Sequence, residues 1–140
     1  QLLALDGAMT VALVGDAGFS MIQGELAMLH EVGAPVLIIV FNDAALDLIR
    51  SAQVRAHKPP FGTEFSNPDL LQIAAAYGID SYRVINEAEC ATAIQAALAA
   101  RRPCLIDAQI DPISYPTTPV QSSPPFPPQS QSKRGLAQNS

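Results

Sequence analysis

One segment, residues 36–41, constrains the fold of this chain more than any other. Its six residues are all apolar and mostly β-branched, and the segment lies between Pro35 and Asn42. A run of this length is too short to span a bilayer, and β-branched residues favour a strand. Unbroken apolar sequence is typical of a parallel strand that helices cover on both faces. The segment therefore predicts a central strand of an α/β protein.

Patterns typical of strands and helices alternate along the rest of the chain. Further strands are predicted at residues 10–14, 82–84 and 104–110. Helices are predicted at residues 20–32, 45–55, 67–78 and 86–100. Their end signals are Gly33, the pair Asn67-Pro68 as N-cap and first-turn proline, and Asn86 with Glu89 as a capping pair. Short right-handed crossovers between such strands predict an open parallel sheet with helices on both faces.

The length and charge of the chain limit its organisation. Its 140 residues suffice for one core, which we expect within residues 1–111. Residues 112–140 are rich in Pro, Ser and Gln, a composition that predicts disorder. The net charge of −5 comes without a basic stripe, which argues against nucleic acid or an anionic membrane surface as partner. No secretion signal pattern is present, so a cytoplasmic location is expected.

Each strand of the first predicted strand-helix-strand unit is followed by a carboxylate. Asp16 lies in Gly15-Asp16-Ala17-Gly18-Phe19, and Asp43 follows Asn42 after the central strand. The carboxyl ends of parallel strands meet at the edge where such sheets bind ligands. Two oxygen ligands suit Mg²⁺, and a turn that enters a helix offers backbone N–H groups to a phosphate. Either motif alone is ordinary turn chemistry, so the prediction of a metal site depends on their pairing.

These two motifs resemble the signature of thiamine-diphosphate-dependent enzymes. That signature begins Gly-Asp-Gly and ends near Asn-Asn, and the stretch from Gly15-Asp16-Ala17-Gly18-Phe19 to Phe41-Asn42-Asp43-Ala44-Ala45 is similar to it. Asn67-Pro68-Asp69, followed by an Ala-rich helix, is similar to the acetolactate-synthase-like branch of the family. The resemblance covers residues 10–112. Ala17 stands where the family usually has glycine, and Asp43 stands where asparagine is common.

The resemblance implies roles for particular residues of the C-terminal, diphosphate-binding domain. Asp16, Asp43 and the backbone carbonyl of Ala45 would hold Mg²⁺, which holds the diphosphate. The residues expected to contact thiamine diphosphate are Gly15, Asp16, Ala17, Gly18, Phe19, Asn42, Leu46 and Leu48. Leu46, Leu48 and Ile49 would lie nearest the reactive ring, although an apolar wall there equally suits core packing. No catalytic residue is assigned.

The resemblance also implies an activity and partners. An acetolactate-synthase-like enzyme is a lyase or transferase that decarboxylates one 2-keto acid and joins the product to another. Decarboxylases, aldehyde lyases and oxidases share the same signature. The family's pyrimidine-binding domain, which supplies an activating glutamate, has no counterpart in this sequence. We therefore expect a fragment, incomplete at its start, or one subunit of a split enzyme that needs such a domain or a second subunit, within a homo-oligomeric parent.

Two other classes of function remain open at this point. A receiver-like or phosphoryl-transfer α/β domain would use Asp16 as a phosphate acceptor beside Mg²⁺, and it needs a further acidic cluster and a lysine near the same sheet edge. The chain has only Lys58 and Lys133, in a predicted loop and in the tail. The other class is an inactive α/β domain that serves as a packing or regulatory partner. Failure to bind the cofactor beside a complementary domain would favour that class.

Overall fold

The structure is a computed structural model that describes residues 8–111, and their strands form one parallel sheet. The strands are β1 (Thr10–Gly15), β2 (Val36–Asn42), β3 (Asp80–Val84) and β4 (Cys104–Gln109). Their order is β1-β2-β4-β3, and every neighbouring pair is parallel. The predicted open parallel sheet is confirmed. The disorder predicted for the tail at residues 112–140 lies outside the described residues.

Helices connect all of these strands. They are α1 (Asp16–Ile22), α2 (Leu26–Val32), α3 (Asp47–Arg55), α4 (Leu70–Ala76) and α5 (Glu87–Ala100). The first predicted helix begins four residues earlier than expected and is interrupted by a 3₁₀ turn, Gln23–Glu25, which contains Gly24. Gly33 ends α2 with φ of 63°, as its C-terminal position predicts. Between residues 8 and 111 no helix has the length and apolarity needed to cross a membrane.

The two faces of the sheet carry separate hydrophobic clusters. On one face, side chains of α1, α2 and α4 pack against β2 and β4; the cluster includes Phe19, Leu26, Leu70, Ala74, Val36, Ile38, Val40 and Leu105. On the other face, Ala93 and Ala97 of α5 pack against Leu37, Ile39 and Ile106. Burial of β2 from both sides explains its unbroken apolar sequence. Helices on both faces are therefore confirmed.

Strand order explains this distribution of helices. The chain moves across the sheet in one direction from β1 through β2 to β3, and then returns from β3 to β4. Right-handed crossovers place helices on opposite faces when the direction reverses, which is why α5 packs opposite the others. Since all strands are parallel, the loops after β1 and β2 lie at the same edge of the sheet.

The predicted caps of α4 and α5 have different outcomes. Asn86 caps α5 by accepting a hydrogen bond from the Glu89 N–H at 2.9 Å, which confirms that capping pair. The predicted cap of α4 is wrong, because Asp69 and not Asn67 accepts the hydrogen bond, from the Leu71 N–H at 3.1 Å. The side chain of Asn67 instead bonds to residues at the ends of β1 and β2.

Candidate functional site

The carboxylate of Asp16 is the point at which three loops meet. Asp16 is the first residue of α1, directly after β1, and is only 4% exposed. Its Oδ1 accepts a hydrogen bond from the Ala17 N–H at 2.7 Å. Its Oδ2 accepts from the Ala44 N–H at 2.9 Å and from the Asn67 side-chain amide at 2.6 Å. The loops after β1, after β2 and before α4 therefore converge on one buried anion.

The backbone at Ala44 has a conformation that L-residues rarely adopt. Its φ is 55°, in the left-handed region, where a side chain costs roughly 1–2 kcal/mol. This conformation accompanies the hydrogen bond from the Ala44 N–H to Asp16. The strain lies at the proposed binding edge of the sheet, where such conformations cluster in functional loops.

A short antiparallel bridge fixes the loop after β2. Ala45 pairs with Glu64, and one bond of the bridge runs from the Leu46 N–H to the Thr63 carbonyl at 2.7 Å. The bonds of this bridge belong to the residues that flank Ala45, so its own N–H and carbonyl point away from Glu64. Helix α3 consequently begins at Asp47, two residues later than predicted.

One carboxylate oxygen of Asp43 lacks a partner within the described residues. Its Oδ1 accepts a hydrogen bond from the Ala45 N–H at 3.1 Å. Its Oδ2 is buried, and no described residue donates to it. A buried oxygen without a partner costs on the order of 1–3 kcal/mol, and more when it carries charge. A bound cation would remove that cost, so the donor set fits a hard metal ion.

A cleft of about 260 Å³ opens beside these carboxylates. It is lined by Gly15, Asp16, Ala17, Phe41, Asp43, Ala45, Leu46, Asp47, Leu48 and Ile49. The structure thus brings together the three predicted metal ligands with most of the residues expected to contact the cofactor. Leu48 and Ile49 are 70% and 50% exposed, so that they present an open apolar wall.

Three of the predicted cofactor contacts do not line this cleft. Phe19 is fully buried in the core. A Cβ on Gly18 would lie 3.0 Å from Val14 Cγ2, so glycine permits close packing of α1 on β1. The side chain of Asn42 donates to Asp107 Oδ1 at 2.9 Å and accepts from Asn67 at 2.7 Å. Their roles in cofactor binding stay predictions.

The alanine that replaces the family's usual glycine fits its position. Ala17 lies in the first turn of α1, and it is not among the residues with positive φ. No glycine-only conformation is required there. An alanine also favours a helix by up to about 1 kcal/mol over glycine.

Asp47 is a third carboxylate in the cleft, and it was not predicted from the sequence. It is 5% exposed, and Arg50 Nε donates to its Oδ1 at 2.6 Å. The hydrogen bond and the charge of Asp47 raise the pKa of Arg50. An acid three residues before an arginine, at the start of a predicted helix, is the sequence signal that could have identified this pair.

A second polar cluster lies behind the cleft and centres on Asp107 of β4, which is 1% exposed. Asp107 Oδ1 accepts from Asn42 and from Gln109, at 2.9 and 2.8 Å, and Oδ2 accepts from Arg83 Nε at 3.0 Å. The hydrogen bond to Asp107 raises the pKa of Arg83. Arg83 also donates to Asp69, at 2.8 Å. In the sequence, the signal that could have identified this cluster is a single acid within an apolar strand.

Few side chains among the described residues could bind a metal ion together. Residues 8–111 contain no group of three or more His, Cys, Asp or Glu that could together hold a metal ion. A metal in the cleft would depend on two carboxylates and a backbone carbonyl. Mg²⁺ is commonly bound in this way, since phosphate oxygens and water complete its coordination.

Comparison with known proteins gives a family match and a shared fold. Residues 1–108 match the family model described as thiamine pyrophosphate enzyme, C-terminal TPP binding domain. A solved structure of a thiamine diphosphate-dependent 4-hydroxybenzoylformate decarboxylase from Rhodococcus jostii RHA1 aligns with a TM-score of 0.71 and 24% identity. That alignment covers 79% of this chain and 22% of the decarboxylase chain, and it shows the same fold.

Curated relatives are similar over most of this chain. An acetolactate synthase of Bacillus subtilis is 28% identical over 109 residues, which cover 78% of this chain and 19% of that protein. A probable acetolactate synthase large subunit of Methanocaldococcus jannaschii is 30% identical over 110 residues, covering 75% and 18%. The chain therefore spans about a fifth of the length of these relatives.

Proposed function

This chain belongs to the family of thiamine pyrophosphate enzymes, as a C-terminal TPP-binding domain, and we propose that its cleft binds the diphosphate of that cofactor through Mg²⁺. The observation that carries this proposal is the buried Oδ2 of Asp43, which lacks a partner among residues 8–111. Asp16 lines the same cleft. Two carboxylates at neighbouring strand ends attract a divalent cation, which in turn attracts a diphosphate.

Three groups of this chain would hold the metal. Asp43 would contribute Oδ2. Asp16 would contribute Oδ1, which accepts a single hydrogen bond, from Ala17, and so retains a lone pair. The carbonyl of Ala45 would be the third, since it points away from the Glu64 bridge.

We propose that the parent activity is acetolactate-synthase-like, with 2-keto acids as substrates. The relatives from Bacillus subtilis and Methanocaldococcus jannaschii support this reaction class by their similarity to this chain. When bound, the cofactor supplies an electron sink for the carbon that loses carbon dioxide. The contribution of this chain is to anchor and orient the cofactor and, through Leu46 and Leu48, to shield one side of the cleft from water.

We also propose that a pyrimidine-binding domain or a second subunit completes the site, within a homo-oligomeric parent. The open apolar wall formed by Leu48 and Ile49 supports this proposal, because large exposed apolar side chains beside a cleft are typical of surfaces that another protein part covers.

The receiver-like alternative lacks its lysine among the described residues that line the cleft. It needs a lysine beside Asp16, yet Lys58 is exposed in the loop after α3 and does not line the cleft. Lys133 lies outside the described residues.

Calorimetric titration of thiamine diphosphate into the full chain, in Mg²⁺ and then in chelator, tests the proposal. We expect binding in Mg²⁺ only. Asp16→Ala should abolish that binding while the circular dichroism spectrum stays unchanged. Asp80→Ala is the matched control, because Asp80 pairs with Arg102 at 2.6 Å at the start of β3 and does not line the cleft.

Either of two results would reject the proposal. Unchanged affinity in Asp16→Ala would mean that the cleft is not the site. Absence of any heat from a folded wild-type chain would leave a domain that keeps the family fold without binding the cofactor alone.

A further inference from the structure

Asn67 connects the two strand ends that form the cleft. Its side-chain nitrogen donates to Asp16 Oδ2 at 2.6 Å and to Asn42 Oδ1 at 2.7 Å. Asp16 directly follows β1, and Asn42 is the last residue of β2. One primary amide carries two N–H groups, so both contacts can be made at once. Asn67 does not itself line the cleft.

The segment that carries Asn67 is fixed from its other side. Pro68 restricts the backbone of Asn67 to extended conformations. Asp69 caps α4 and accepts a hydrogen bond from Arg83 at 2.8 Å. Side-chain contacts link Asn67 through Asn42, Asp107 and Arg83 to Asp69, and the backbone of residues 67–69 joins the two ends of this series.

The three donors to Asp16 determine which of its oxygens remains available. Oδ2 accepts from both Ala44 and Asn67, which uses its two lone pairs, whereas Oδ1 accepts from Ala17 alone. Donors on both oxygens fix the plane of the carboxylate. Loss of Asn67 would leave the carboxylate with two backbone donors instead of three donors, and it would free a lone pair on Oδ2 that can compete with Oδ1 for the metal. Groups that orient a metal ligand in this way tune metal affinity without touching the metal.

We propose that Asn67 is a positioning residue, which holds the Asp16 carboxylate in the orientation that binds the metal. This inference rests on the proposed function of the cleft. Asn67 acts through Asp16, because its amide nitrogen contacts the oxygen that the metal does not use. This role replaces the helix-capping role that the motif Asn67-Pro68-Asp69 predicts for the asparagine.

The first experiment measures the Mg²⁺ concentration that gives half-maximal binding of thiamine diphosphate to the full chain. We expect Asn67→Ala and Asn67→Leu to raise it about 10- to 100-fold, with affinity largely recovered at saturating Mg²⁺. Asn67→Leu keeps the branched shape of the side chain and removes its amide group. An equal loss of affinity at every Mg²⁺ concentration would indicate a merely structural role and overturn the proposal.

Gln53→Ala is the matched control for loss of an amide that holds a loop. Gln53 binds the backbone N–H and carbonyl of Phe61, at 2.9 and 3.1 Å, away from Asp16. We expect this variant to leave the Mg²⁺ requirement within about twofold of the wild type, since surface substitutions away from a site have small effects. A rise as large as that of Asn67→Ala would overturn the proposal.

The second experiment needs no cofactor and separates the two hypotheses. Urea unfolding of Asn67→Ala, Asp16→Ala and the double variant forms a cycle. We expect the unfolding constant of the double variant to differ by about threefold or more from the product of the single effects. If the effects of the two single substitutions on stability are additive, the proposal that Asn67 positions Asp16 is rejected. If the cycle shows coupling but the wild-type chain binds no thiamine diphosphate, the interaction of Asn67 with Asp16 is supported and the proposed function is rejected.

Discussion

Asp107 and Asp43 are both anions close to the carboxyl edge of the sheet, yet their oxygens are satisfied in opposite ways. Every oxygen of Asp107 accepts a hydrogen bond from a side chain, and Arg83 supplies a compensating charge. Asp43 keeps a buried Oδ2 for which residues 8–111 provide no donor. The described residues satisfy both oxygens of Asp107 but provide no hydrogen-bond donor for the buried oxygen of Asp43. A buried group without a partner is the exception in folded proteins, and it requires an explanation.

The contrast predicts that the two aspartates differ in what they do for stability. A buried carboxylate with a complete set of partners is costly to disturb, because removing one partner leaves an uncompensated charge. A carboxylate with a buried oxygen that accepts no hydrogen bond already destabilises the metal-free protein. Changes around Asp107 should therefore lower the free energy of unfolding, whereas changes at Asp43 should mainly affect binding.

The largest effect is expected from Arg83→Met, which removes the charge that faces Asp107. We expect the free energy of unfolding in urea to fall by about 2–3 kcal/mol, less than for a fully buried pair because Arg83 is half exposed. Arg102→Met is the control, since it breaks the more exposed pair with Asp80 and should cost about 0.5 kcal/mol. Equal losses in both variants would remove the distinction between the two kinds of pair.

A smaller effect, of opposite sign, is expected from Asp43→Asn in metal-free buffer. The amide oxygen can still accept from the Ala45 N–H, while the buried charge is gone. The free energy of unfolding should rise by about 1 kcal/mol, as substitutions that relieve a strained site commonly do. Addition of Mg²⁺ with thiamine diphosphate should stabilise the wild-type chain more than the variant. A clear loss of stability in metal-free buffer would mean that the chain satisfies Asp43 itself.

The sequence predicted the fold more completely than it predicted these polar contacts. The run at 36–41, the glycine at 33 and the capping pair of α5 are local signals, and each led to the observed element. The proposed metal ligands were expected because both acids follow strands. The role of Asn67 was missed because the chain positions of its partners are 51 and 25 residues away, and Asn-Pro by itself indicates a cap. Asp107 was missed since one acid within an apolar strand does not reveal its partners.

The backbone shows a similar contrast at two positions beside the cleft, one strained and one unstrained. Ala44 has a left-handed φ and Ala17 has a helical one, so a glycine should have opposite effects at the two positions. We expect Ala44→Gly to raise the free energy of unfolding by about 0.5 kcal/mol, because relief of the steric cost exceeds the added entropy of the unfolded chain. Ala17→Gly should lower it by about 0.5–1 kcal/mol, since glycine disfavours a helix. Both are measured by urea unfolding, and changes of the same sign would show that strain is not concentrated in the loop after β2.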